Sequence, residues 1–373
     1  MLGLAAPLPT LVQCRWRRQL PEAVTFLRWR ASAGAAAEAL ISAGADGWIR
    51  GHAFADGSER VAWRAHDAGI TGLCLHPAVT DASSAASADA TGAVFASAGE
   101  DGRVRLWDAA GRAVATLAEE SGWVELLAWS PDGRILAAAA GRSIQLWRGE
   151  ESLGVWYDAA RSVLALAWAP DSRRLATAAN KGLHLWQVGG QAPVQLMAFP
   201  GAPVALAWRP DGKSLATGTQ DGFLQVWRQA GPGAGRARGR SSPSQLTMRG
   251  YPAKVSCLDW HPSRSRIATA GGPDVVLWDI PAAGEGRPTP LRLHRTAVTA
   301  LAYSPGGALL ASGDREGRLC LWRDGGAPLQ SLALDAEISA LAWHAGGATI
   351  AAGCTDGKVA VLDIDAAPAG NQA

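Results

Sequence analysis

Apolar residues along this chain fall into short runs, not helical stripes. The runs are 5–7 residues long, rich in Val, Leu, Ala and Trp, and bounded by turns of the PDG or DG type. Runs of that length and composition between such turns predict β-strands. Three follow one another from Val124, "VELLAWS", "RILAAAA" and "SIQLW". A fourth run precedes each trio, as in "RAVATLAEE", "PVQLMAF", "TPLRLH" and "PLQSLAL".

The four-run unit repeats. Copies start near Val24, Ile70, Val124, Val163, Val204, Val255, Val298 and Ile338, the first two being the most decayed. The third run of a copy closes on Trp107, Trp147, Trp186, Trp227, Trp278 and Trp322, at spacings of 40, 39, 41, 51 and 44. His52 takes that place in the first copy and Leu362 in the last. Four short strands per period of this length describe one blade of a propeller. The first strand of each copy is almost continuously apolar, as expected of a strand covered on both faces by neighbouring blades.

The last copy ends in its third run, "KVAVLDI", while an unassigned strand, "LVQCRWRRQL", precedes the first. Pairing the two closes the ring and removes an open edge. The expectation is an all-β fold of one domain over residues 1–373. It is a closed β-propeller of four-stranded antiparallel blades, with the N-terminal strand completing the last one. Eight blades follow from eight copies; seven is the alternative, the His52 unit being the misfit.

The repeat resembles the WD40 family. The literal pair survives at Trp107–Asp108 and Trp278–Asp279, and of the family's Gly-His only His66 and His294 remain. The resemblance implies a hydrogen-bonded tetrad in each blade, complete in the second copy as His66, Ser97, Asp101 and Trp107. The seventh copy offers His294, Ser312 and Trp322 with Glu316 in place of the Asp, and the fifth Thr217, Asp221 and Trp227 without the His. A His–Asp–Ser set is also hydrolase chemistry, but a catalytic site is not repeated in degraded form around a ring. The resemblance therefore implies a non-catalytic scaffold for protein partners, with no enzyme activity and no cofactor. The alternative is a propeller that binds a small ligand or metal, or an enzyme, using its axial channel.

Composition narrows this further. Lys plus Arg is 35 and Asp plus Glu 33, so a net charge of +2 gives no pull toward nucleic acid or a membrane surface. No apolar run approaches a membrane span of roughly 18 residues, and "MLGLAAPLPT" lacks the basic start of a signal peptide. Five scattered cysteines without a CxxC predict buried thiols in a reduced, cytoplasmic protein, monomeric on its own. An Ala-rich, Lys-poor composition points to a bacterial source.

Two insertions, 77–93 and 229–244, are Gly-, Ser-, Ala- and Pro-rich and are expected to be flexible, as is the tail 366–373. The second carries Arg236, Arg238 and Arg240, which could grip an acidic partner. His76, His261 and His344 each follow an inner strand, but they belong to different blades and are expected to be turn residues, with no metal bound. Asp259 stands where most copies have Ala, and a structural hydrogen bond is its expected role.

Two tryptophans six residues apart need different explanations. Trp129 aligns with Trp29, Trp168, Trp208, Trp260, Tyr303 and Trp343, and so belongs between blades. Trp123 aligns with Ala23, Gly69, Ser162, Pro203, Lys254, Ala297 and Glu337, where nothing demands an aromatic. It falls just before an inner strand, on the face that propeller partners touch in the family. The expected partner-binding rim is Trp123, Glu125, Arg161, Tyr251, Lys254, Arg295, Arg315 and Glu337.

Overall fold

A computed structural model describes residues 11–30, 39–77, 92–119, 122–157, 162–180, 182–198, 201–228, 244–281 and 284–365. Arg161, Arg236, Arg238, Arg240 and the tail 366–373 lie outside that set, as does nearly all of both insertions. The described strands pair into eight four-stranded antiparallel sheets. Seven are built from consecutive strands. In the eighth, Ile338–Trp343, Thr349–Cys354 and Lys358–Ile364 are completed at the outer edge by Val12–Gln19. That strand runs from Val12 opposite Ile364 to Gln19 opposite Lys358, with a bulge between Cys14 and Trp16. Arg15 Nε lies 3.0 Å from Asp363 Oδ2, and the Leu20 amide donates to the Gly357 carbonyl at 2.8 Å. The ring is closed and has eight blades. The His52 unit is a complete blade made of Val24–Arg30, Ala39–Gly44, Trp48–Ala53 and Glu59–Arg64, so the seven-bladed alternative falls.

The hydrophobic core is divided among the seams between blades. Each of eight buried clusters draws on two adjacent blades; one joins Val104 and Leu106 of blade 2 to Val124 and Trp129 of blade 3. The innermost strands touch in an unbroken cycle, and the last, Ile338–Trp343, packs on the first, Val24–Arg30. No blade can bury its faces alone, so closure and stability are one problem.

Within the seams the repeated tryptophan does more than fill space. The Trp168 indole N–H donates to the Ala128 carbonyl at 3.1 Å, across to the preceding blade. Trp208 does the same to Ala167 at 3.1 Å, Trp260 to Ala207 at 3.1 Å, Trp343 to Ala302 at 2.9 Å and Trp29 to Ala342 at 2.9 Å. Five seams thus carry an indole–carbonyl bond, and in each the accepting residue is an Ala. The other three acceptor positions hold Arg28, Cys74 and Asp259. Facing them, Leu75 has no indole, and the Trp129 Nε1 and Tyr303 hydroxyl are buried without a hydrogen-bond partner.

Side chains reinforce two of these three seams. His76 packs edge-on against Trp129 at 4.9 Å and donates to the Gly133 carbonyl at 2.9 Å. His261 lies 5.2 Å from the Tyr303 ring, and Asp259 accepts the Tyr303 amide at 2.7 Å. His344 sits similarly, 5.3 Å from Trp29, at a seam that keeps its indole bond. All three histidines are therefore seam residues in separate places. Burial pushes the Asp259 carboxyl up to about 7 against the pull of the backbone amides it accepts. Burial, then the charge of Arg50, pushes His52 down to about 4.

Two predictions follow from the seams. Phenylalanine at position 168 removes a bonded N–H, whereas at position 129 it removes one that has no partner. Trp168→Phe should therefore destabilise by about 1 kcal/mol more than Trp129→Phe in urea unfolding. Equal losses would mean that the indole bond contributes nothing.

The second concerns pH. The folded protein holds the Asp259 proton to higher pH than the unfolded chain does, so that contribution is complete below about pH 4 and lost as pH rises through about 7. His52 has the opposite sign: its contribution is present above about pH 6.5 and lost as pH falls through about 4. Asp259→Asn should flatten the decline of unfolding free energy between about pH 4 and pH 7. A decline that survives the substitution unchanged assigns it to another group.

Candidate interaction face

Among the described residues, the connections from an outer strand to the next inner strand and the turns between second and third strands emerge on the same face, here called the top. Backbone bonds stitch these segments together: Ala253 N–H to Gly271, Val298 N–H to Gly272, Arg315 N–H to Ala297 and Leu334 N–H to Gly317, at 2.8–3.2 Å.

Beneath the face lie the polar sets that hold each blade. In blade 2 His66 Nδ1 is 2.8 Å from Asp101 Oδ1, His66 Nε2 is 2.7 Å from Ser97 Oγ, and the Trp107 indole donates to Ser97 at 2.8 Å. Blade 7 is also complete, but its carboxylate is Asp314, 2.8 Å from His294 and fully buried, and not Glu316. Ser312 joins His294 at 2.7 Å and Trp322 at 2.8 Å there. Asp314 ends a strand two residues after Ser312, so both side chains point to the same face and reach His294, and the carboxylate falls two residues before the expected spacing. In blade 5 Thr217 donates to the Ala205 carbonyl at 2.7 Å. Burial lowers the pKa of both His66 and His294, against their carboxylate partners. Each of these serines is fully buried and accepts an indole N–H, which leaves it closed to substrate.

Tyr251 is a departure from the expected rim. Its hydroxyl is turned into blade 6, where it lies 2.5 Å from Thr269 Oγ1 and accepts the Trp278 indole N–H at 2.6 Å. It stands in for the missing histidine, and burial pushes its hydroxyl up to about 12.

The remaining described rim residues do face outward. Trp123 is 57% exposed, Glu125, Lys254, Arg295 and Arg315 are exposed, and Glu337 is half-buried. Five further large apolar residues are exposed and escaped the sequence reading: Tyr157, 68% exposed at the top end of the outer strand of blade 3, Leu164 at the start of blade 4, Leu293 in the connection to blade 7, and Val194 and Leu196 at the outer edge of blade 4. For Tyr157 the missed signal was its position, since it is the last residue before a connection across the top face, as Trp123 is within its own.

On the opposite face, Arg266 makes paired contacts of 2.7 and 3.1 Å with Asp279 and one of 2.8 Å with Asp324, which Arg264 also joins. An open cleft of ≈ 610 Å³ beside them is lined by Asp279, Glu285 and Arg287 among others. No group of three or more ligating side chains converges among the described residues.

Comparison with known proteins agrees with this architecture. A solved structure of the computationally designed Ika8 protein superposes with a TM-score of 0.74 over 94% of this chain and 100% of that one, at 21% identity, which shows the shared fold. No curated protein matches significantly. The profile of the anaphase-promoting complex subunit 4 WD40 domain matches residues 301–371. The profile described as WD domain, G-beta repeat matches residues 57–108, 111–148, 151–187, 194–228 and 242–279, together just over half of the chain. On those matches, and on blades whose indoles close against buried Ser or Thr, the chain belongs to the WD40-repeat family.

Proposed function

We propose that this propeller is a non-catalytic platform for protein partners and that they dock on its top face around Trp123. The observation that carries the reading is the exposure of that indole, 57%, at a position where the other seven copies need no aromatic. A large apolar side chain left in water is an anchor without its pocket, and Trp is enriched among residues that dominate binding energy. The family is generally non-catalytic, and one of the two matching profiles describes the WD40 domain of a complex subunit. The five cysteines are unpaired thiols, which suits a reduced compartment such as a bacterial cytoplasm.

The test separates folding from binding. Trp123→Ala should leave the melting temperature nearly unchanged and weaken capture of a native partner by an amount worth about 2 kcal/mol. Trp129→Ala, in the seam, should instead destabilise the fold by roughly 3–5 kcal/mol. If the two substitutions destabilise alike, Trp123 is a packing residue and the docking reading fails.

A further inference from the structure

The eight inner strands form the wall of the axial channel, and the residue just before the seam aromatic is half-buried there in most blades. Five blades place Ala at that position, from Ala128 to Ala342. The leucines one residue earlier, such as Leu127, Leu166 and Leu301, are also half-buried and continue the apolar wall. In blades 2 and 6 the position holds Cys74 and Asp259, and both turn along the wall to the next blade. The Cys74 sulfur accepts the Trp129 amide, and Asp259 accepts the Tyr303 amide at 2.7 Å. Each of these two side chains is satisfied by the protein.

Arg28, at the same position in blade 1, is not. Its side chain is exposed although the ring surrounds its strand, so the water that reaches it is the water of the channel. A guanidinium has five N–H donors. The hydrogen bond that Arg28 makes with the described residues runs from Nη1 to the Leu27 carbonyl at 2.8 Å. Among the described residues no carboxylate pairs with it; the ionisable group that acts on it is the Cys74 thiol, which burial pushes up to about 12 and so keeps neutral. Asp259 lies three blades away around the ring. Arg30, the other cation of the inner strands, is tied to the Ala109 carbonyl at 2.9 Å. The protein around Arg28 lowers its pKa by burial, because it solvates the charge less well than bulk water does.

A cation without a counter-charge, inside a passage with apolar walls, concentrates positive potential there. The planar guanidinium fork fits a carboxylate through two parallel hydrogen bonds. One cation balances one negative charge, and Asp259, once ionised, opposes a second. The Ala and Leu side chains of the wall offer cover to an apolar body but no partner to a polar one. We propose that the axial channel binds a small monocarboxylate with an apolar body, its carboxylate on Arg28 and its body against the Ala and Leu wall. The site is separate from the top-face surface around Trp123 and does not rest on it.

The test uses hexanoate as the probe, titrated into the full chain with labelled Ala methyls and followed by NMR in low-chloride buffer. Shifts should appear at Ala342 and Ala128, the channel alanines flanking blades 1 and 2, and not at Ala253 on the top face. Hexanol lacks the charge and inorganic phosphate the apolar body, so each should bind at least on the order of tenfold more weakly than hexanoate. Arg28→Gln keeps a side-chain N–H for the Leu27 carbonyl and should weaken hexanoate binding on the order of tenfold, with the melting temperature unchanged. Arg28→Lys keeps the charge without the fork and should fall between the two. The proposal is overturned by a wild type that shows no saturable shift below about 10 mM hexanoate, by hexanol or phosphate binding as tightly as hexanoate, or by a folded Arg28→Gln that binds as wild type does. Trp123→Ala should leave hexanoate binding unchanged, so failure here and failure of the docking reading are distinguishable.

Discussion

The structure depends on one recurrent contact, the indole N–H of an inner strand reaching the backbone carbonyl of the blade before it. A propeller blade is a twisted four-stranded sheet with two apolar faces and no core of its own, so each face must be matched to a neighbour's with the right rotation. Packing alone tolerates sliding of apolar surfaces over one another. The bond from Trp168 to Ala128, repeated at four other seams, fixes height and rotation at the radius where the blades are closest. The acceptor is a backbone carbonyl of the innermost strand, so the indole ties each blade to the main chain of the one before it and not only to its side chains. Ala at the acceptor position goes with this geometry; where Arg28, Cys74 or Asp259 stands there no indole reaches the carbonyl, and at Asp259 the carboxylate accepts the Tyr303 backbone amide instead.

Inside the blades a second problem, the closing tryptophan of the third strand, has been solved several ways. Blades 2 and 7 use a full His, Asp and Ser set. Blade 6 substitutes the Tyr251 hydroxyl for the imidazole, and in blade 4 Thr177 alone accepts the Trp186 indole at 2.9 Å. Blade 1 inverts the arrangement, with His52 in the indole's place bonded to Ser42 at 2.9 Å. Blade 8 abandons polarity, pairing Ile350 with Leu362 and Ala352 with Ala360. Most are cheap for the same reason: a buried donor with a partner and an apolar pair with no donor both avoid the cost of an unmade bond, whereas blade 1 leaves His52 Nδ1 buried without one. Blade 3 has the least complete solution, Ala138 in the serine's place and a void of ≈ 10 Å³ against Trp147.

The fold was legible because the physical constraint is periodic: a strand covered on both faces reads as an apolar run, and the missing outer strand of the last copy pointed to Val12–Gln19. The site was legible only where a residue broke the period. Trp123 stood out for that reason. Tyr251 was misplaced because a tyrosine in the histidine's position gives no sequence cue to the direction of its hydroxyl. Spacing carried over from blade 2 points to Glu316, whereas in blade 7 the strand's own last residue, Asp314, shares a face with Ser312 and meets the histidine.

The direct test of the central contact is hydrogen exchange of the indole N–H protons, resolved one by one by NMR under native conditions. The account predicts that Trp29, Trp168, Trp208, Trp260 and Trp343 exchange only through global opening of the ring. The unbonded Trp129 indole, buried like Trp29, Trp168, Trp208 and Trp260 and more deeply than Trp343, should exchange faster through local fluctuation. Protection of Trp129 equal to that of the other five would contradict the claim that the inter-blade bond, and not burial alone, holds the seams.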